Sequence, residues 1–297
     1  MRRGMIVKTP GRAHAEEFSH VNVGSFSALL FGGSLMAGFL GALTGLGGGV
    51  VIVPLLTLAF GVDLRYAIGA SLVSVIATSS GAAAAYVREG FSNIRAGLFL
   101  EIATSMGALI GASLANRFST SAIAIIFGLV LLYSALSPAT HKTQTGSSGG
   151  DGLGKRLRLN STYPTSNGFE AYTVCRVPLG FALMTGAGAL SGLLGIGSGA
   201  VKVLAMDRAM GLPFKVSTTT SNFMIGVTAA TSAGVYLARG YIDPGLAMPV
   251  MLGVLAGATL GSRLLMKARV SVLQNVFRAV LLALAAEMIY NGWTGRI

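Results

Sequence analysis

Long apolar runs, broken at a few places by glycine and polar residues, organise this chain. From Val21 to Val62 there is no Asp, Glu, Lys or Arg, a stretch of 42 residues. A helix that crosses hydrocarbon needs about 20 apolar residues. This stretch therefore holds two spans, or one span and an element that turns back. Gly45-Leu46-Gly47-Gly48-Gly49 interrupts it, and the piece that follows, Val50 to Phe60, is too short to cross. Further runs cover Tyr66 to Val87, Ala96 to Asn116 (interrupted by Glu101) and Phe118 to Ser137. After a polar stretch the pattern resumes at Val177 to Val201, Val216 to Ala238, Pro244 to Ser262 and Ser271 to Tyr290.

The second set of runs repeats the first. At a constant shift of 150, Gly45, Gly47 and Gly49 fall on Gly195, Gly197 and Gly199, Ser71 on Ser221, Thr78 on Thr228, and Tyr86 on Tyr236. Arg65 falls on Lys215. Chance supplies glycine matches in a glycine-rich chain, but not this order with Tyr, Ser and basic positions kept. The expected fold is an all-α polytopic membrane protein of two homologous repeats. Each repeat has about four spanning helices plus a short helix after its Gly-rich break, eight to ten membrane segments in all. The domains read as a cytoplasmic tail over 1–20, a first membrane repeat over 21–137, a polar cytoplasmic linker over 138–176 and a second repeat over 177–297. The linker's Gly, Ser and Thr content predicts a flexible segment.

Composition supports a bilayer setting. Charged residues are 11% of the 297 and 42 are Gly, and mean hydropathy is +0.70. Small residues let membrane helices pack closely. The net charge of +12 would suggest nucleic acid in a soluble chain. Here the basic residues flank apolar runs, as the positive-inside rule requires, and no nucleic-acid motif is present. The tail and linker are the most basic segments, so both are expected in the cytoplasm. An even number of crossings per half, hence parallel repeats, follows from that. The loop with Arg263, Lys267 and Arg269 would then face outward, which counts against it. Cys175 is the single cysteine, and His14, His20 and His141 lie in polar segments. A cysteine-built or buried-histidine metal site is not expected, nor is a cofactor.

The candidate site comes from the paired breaks. Gly45, Gly47, Gly48 and Gly49, and Gly195, Gly197, Ser198 and Gly199, interrupt the two halves at the same place. Irregular backbone at membrane depth must face protein, water or a ligand. A helix start beside it favours an anion, although tight helix packing alone also uses glycine. Ser71 and Thr78 share one helical face, as do Ser221 and Thr228. Their hydroxyls suit an oxyanion, or else bond their own helix carbonyls. Asn222 needs partners in lipid. Lys202 and Asp207 are charges in an apolar context, without charged counterparts in the first half. Such residues are functional candidates by default: Lys202 to hold an anion, or to neutralise Asp207. Glu101 and Asp207 are candidates for coupling to an ion, a proton or sodium.

Gly-x-Gly-Gly-Gly followed by Val53-Pro54-Leu55, with Ala70-Ser71-Leu72 downstream, resembles the sulfite exporter TauE/SafE family. In the second half Gly195-Ile196-Gly197-Ser198-Gly199, Lys202-Val203, Met210-Gly211-Leu212-Pro213 and Thr220-Ser221-Asn222-Phe223-Met224 resemble one branch of it. The likeness runs from about Gly24 to Tyr290. It implies a multi-pass transporter of the cytoplasmic membrane, working without ATP and coupled to an ion gradient. Sulfite, sulfonates such as sulfoacetate and other sulfur anions are the implied substrates. Ser198 stands where such members often have Gly, and Leu204 stands opposite Pro54. The expected function is secondary transport of a small anion. A passive anion channel and a non-transporting membrane adaptor are the alternatives. An enzyme is not expected, since no nucleophile–base pair or metal motif is present.

Overall fold

The computed structural model describes residues 23–44, 49–88, 92–136, 152–165, 168–265 and 270–295. The N-terminal tail and Gly45, Gly47 and Gly48 of the first break lie outside these residues. The first half runs α1 (Val23–Thr44), α2 (Gly49–Pro54), a π-helical turn (Leu55–Ala59), α3 (Leu64–Arg88), α4 (Ile94–Leu114) and α5 (Thr120–Leu136). A short α6 (Gly152–Arg156) and a hairpin of β1 (Ser161–Thr165) and β2 (Gly168–Tyr172) follow. The second half runs α7 (Val177–Leu194), α8 (Gly199–Leu204), a π-helical turn (Ala205–Ala209), α9 (Phe214–Ala238), α10 (Pro244–Leu265) and α11 (Val270–Thr294).

The starts of α2, the first π turn, α3, α4 and α5 recur 150 residues later. So do local bonds: Val62 N to Leu56 O and Leu212 N to Met206 O are both 3.0 Å. Pro54 precedes the first π turn, where a ring without an N–H would loosen a helix. Leu204 precedes the second, so the widened turn forms without proline.

Helix directions follow from contacts at both ends. Asn93 N donates to Thr220 Oγ1, and 19 residues up α4, Arg239 Nη1 donates to Ala112 O; α4 and α9 are parallel. The start of α3 lies at the Arg239 end, with Arg65 Nη1 3.3 Å from Tyr241 Oη and Gly69 against the Tyr241 carbonyl. Thus α3 runs opposite to α9, its counterpart in the other half. The same holds for α5 and α11: Gly128 packs on Ala285 and Ile289, and Gly292 on Ser121 and Ile125. Equivalent segments therefore point in opposite directions, and the parallel arrangement expected from the basic tail and linker is not what forms.

The short elements turn back. Cys175 N donates to Met210 O over 2.9 Å, so the segment after α8 ends beside the start of α7. In the first half Phe60 sits edge-on to Phe26, ring centroids 6.2 Å apart. Each half thus has a hairpin that enters and returns on one side, the two from opposite ends.

Small residues set the packing. A Cβ on Gly107 or Gly111 would strike the backbone of Thr185 or Ala189 in α7. One on Gly253 or Gly257 would strike Phe31 or Leu35 in α1. Close approach of this kind replaces the hydrophobic force that lipid removes. On α4, Leu98, Ile102, Met106 and Leu109 form an exposed stripe, while Glu101 and Thr104 are buried. Apolar outside and polar inside suits a lipid surround. Among the described residues, α4 and α7 are long and apolar enough to cross a membrane.

The described part of the linker is folded, contrary to the flexible reading. β1 and β2 pair antiparallel, with Ser161 opposite Tyr172. Leu159, Tyr163 and Val174 are buried in a cluster with Ala96, Leu100 and Met210. Asn93 Nδ2 donates to Leu159 O and to Tyr172 Oη. Burial raises the Tyr172 phenol above its ordinary value, which keeps it neutral in this contact.

Candidate functional site

The second break meets Gly49, the described end of the first, in the middle of the molecule. Ser71 Oγ of α3 donates to Gly195 O over 2.8 Å, with Gly49 O at 3.4 Å. One hydroxyl proton serves one acceptor well, so the bond to Gly195 is the stronger. Its counterpart Ser221 donates to Gly199 O over 3.3 Å. Val75, near the midpoint of α3, packs on Gly49 and Gly197, and its counterpart Ile225 packs on Gly197 and Gly199. Gly195 and Gly197 take φ +69° and +70°, which lets the chain turn without a Cβ in the way. Ser198 also takes a left-handed φ, +46°, and its buried Oγ has no partner.

One turn beyond Ser198, Lys202 is fully enclosed. Among the described residues its ammonium donates to one group, Thr228 Oγ1 of α9. That hydroxyl in turn lies 2.7 Å from Glu101 Oε1 of α4 and 3.0 Å from its own helix carbonyl at Met224. Ser105 Oγ donates to the same Oε1 over 3.0 Å. Glu101 Oε2 is buried without a partner. Lys202, Thr228 and Glu101 thus form a chain from the second break into α4. Beside the Lys–Asp pairing weighed from the sequence, the described contacts of Lys202 give a Lys–Thr–Glu arrangement. Asp207 lies half-buried in the π turn beyond α8.

The other predicted residues divide. Thr78 bonds the Ser74 and Val75 carbonyls of its own helix, the local alternative for such a hydroxyl. Asn222 is half-buried beside Ser221. At the shift of 150 the positions equivalent to Lys202 and Glu101 are Ile52 and Met251, so among the described residues this chain of polar groups occurs once. Thr104 and Ser105 were not singled out; their place one turn after Glu101 on a helix is the signal that could have found them. Asn93, which caps α4 by accepting from Ala96 N, was likewise missed.

A family model for the sulfite exporter TauE/SafE family matches residues 30–288. The chain is 29% identical over 266 residues to the probable membrane transporter protein YunE of Bacillus subtilis, covering 87% of this chain and 95% of that one. A probable membrane transporter protein of Xylella fastidiosa is 25% identical over 266 residues, covering 88% and 94%. YdhB of Bacillus subtilis, also a probable membrane transporter, is 27% identical over 230 residues, covering 77% and 84%. No solved structure gives a significant match. The match spans both halves, both breaks and the Lys202 chain, and the protein belongs to the sulfite exporter TauE/SafE family of membrane transporters.

Proposed function

We propose that this protein is a secondary transporter that moves a small anion across the cytoplasmic membrane. A sulfur oxyanion or organosulfonate, such as sulfite or sulfoacetate, is the substrate. The observation that carries this reading is Lys202: an enclosed ammonium, beside a break in the helical backbone, with a single hydroxyl as hydrogen-bond partner among the described residues. A lysine ammonium has three donors, so two remain for an oxyanion. The chain is read as two homologous repeats of inverted topology, supported by the recurring boundaries and the opposed directions of α3 and α9. Opposed hairpins meeting at mid-depth are where such transporters hold substrate.

In this arrangement the linker hairpin, the end of α10 and the start of α11 lie at one end. That end is cytoplasmic by the positive-inside rule; α1 runs parallel to α10, with Phe31 against Gly253 and Leu35 against Gly257, so its start lies at the opposite end and the cytoplasmic tail expected from the sequence is not part of this reading. Around Lys202, the proposed substrate contacts are Ser198, Ser221, Asn222, Thr228 and the glycines of both breaks. Ser71 and Thr78 hold the first-half side. Glu101 is the coupling residue, and Asp207 stands near the cytoplasmic mouth. The test is counterflow in proteoliposomes with sulfite, thiosulfate, sulfoacetate, taurine and chloride. Saturable exchange of sulfur anions supports the reading. Unsaturable flux of chloride would mark a channel, and no flux an adaptor.

A further inference from the structure

We propose that Glu101 is a proton site, and that one proton and one singly charged anion occupy the Lys202 site together. This rests on the anion-transport reading above and adds its coupling and the charge of its substrate. The argument is charge balance in an enclosed place. Lys202 is fully buried and Glu101 nearly so, and Thr228 joins them. With Glu101 ionised, ammonium and carboxylate cancel. A monoanion added to that pair leaves an uncompensated buried charge, which low-dielectric surroundings strongly disfavour. One proton on Glu101 restores neutrality and leaves the ammonium to the anion. A dianion would still leave one negative charge.

The geometry has room for the proton on the carboxylate. Oε1 accepts from Thr228 and Ser105, whereas Oε2 is buried without a partner. A proton taken from the open compartment bonds to Oε2 and leaves on the other side with the anion, so proton and anion travel together without net charge. Asp207 and Arg208, in the π turn directly after α8, carry opposite charges and so leave this balance unchanged. α7 has no ionisable residue between Val177 and Leu194, and α9 has Lys215 at its start, Tyr236 near its end, bonded to Leu193 O, and Arg239 just past it. Arg95 is exposed at the start of α4. Tyr163 and Tyr172 of the hairpin share the apolar cluster with Leu100, and Glu170 is engaged by the Tyr163 hydroxyl. At the positions 150 residues away Ile52 and Met251 replace the charged pair, so one proton per chain is expected.

The test uses the full chain in proteoliposomes that contain a pH-sensitive dye, with the membrane potential clamped by potassium and valinomycin. Methanesulfonate supplies a fixed single charge and ethane-1,2-disulfonate a fixed double charge. The expected result is one proton entering per methanesulfonate, at a rate unchanged between two potentials, with the disulfonate not coupled in this way. Glu101→Gln should move methanesulfonate without protons, at a rate that now follows the potential. Wild-type flux of methanesulfonate without protons, or flux that carries current, overturns the inference alone. Proton coupling that survives Glu101→Gln also overturns it. A wild-type protein that moves neither sulfonate overturns the small-anion reading together with it.

Discussion

The Ser71 hydroxyl of the first half donates to the carbonyl oxygen of Gly195, at the break of the second, over 2.8 Å. This bond ties α3 of the first half to the break of the second, beside Gly49. Ser71→Ala should lower stability by about 1 kcal/mol, the usual net worth of such a bond. Gly195→Ala should lose more, about 2 kcal/mol or above, because φ is +69° and a Cβ would meet Ile68. Thermal unfolding in detergent measures both; equal losses would mean that the break is not strained.

Ser198 offers a sharper separation of folding from function. It holds a left-handed φ and an unpartnered buried hydroxyl. Ser198→Gly relieves both and should raise stability by about 1 kcal/mol. If the hydroxyl serves substrate, the same variant should bind its anion less well. A variant more stable and equally active would remove Ser198 from the site.

Thr228 bridges Lys202 and Glu101. Thr228→Val keeps the shape and removes the bridge, leaving two buried ionisable groups poorly partnered. It should cost about 1–3 kcal/mol, while Thr228→Ser should stay near wild type. Unfolding midpoints of the two variants check this, and indistinguishable values would deny the bridge any role.

Topology is open to labelling. Phe169 on the hairpin and Trp293 near the end of α11 are both well exposed, at 80% and 84%. With Cys175 changed to Ala, Phe169→Cys should react with an impermeant thiol reagent only from the cytoplasmic side. Trp293→Cys should react only from outside. Labelling of both from one side would restore the parallel arrangement and refute inverted repeats.

Much of the helical layout was readable from run lengths and glycine spacing. The expected run Val216 to Ala238 lies within α9, and both short helices begin at their breaks, because lipid length and backbone satisfaction constrain sequence strongly. The direction of the halves was not readable. Basic residues in the tail, the linker and the Arg263–Arg269 loop give conflicting votes, and only contacts such as Gly69 on Tyr241 decide. The hairpin was missed because Ser, Thr and Gly around it suggest flexibility. Asn167-Gly168, a turn pair between Tyr163 and Tyr172, was the available signal. The pairing of Glu101 with Thr228 spans 127 residues, and no local period reports such a contact.

The central claim is that Lys202 holds the transported anion, and counterflow of labelled sulfite or sulfoacetate with Lys202 variants tests it most directly. Loss of a charge-assisted hydrogen bond is worth about 1.5–3 kcal/mol, roughly ten- to a hundredfold in affinity. Lys202→Met, confirmed as folded, should raise the half-saturating concentration by at least that amount or abolish exchange. Lys202→Arg should recover it only in part, since a planar fork does not replace a point charge. Saturable exchange in Lys202→Met with wild-type affinity would contradict the account.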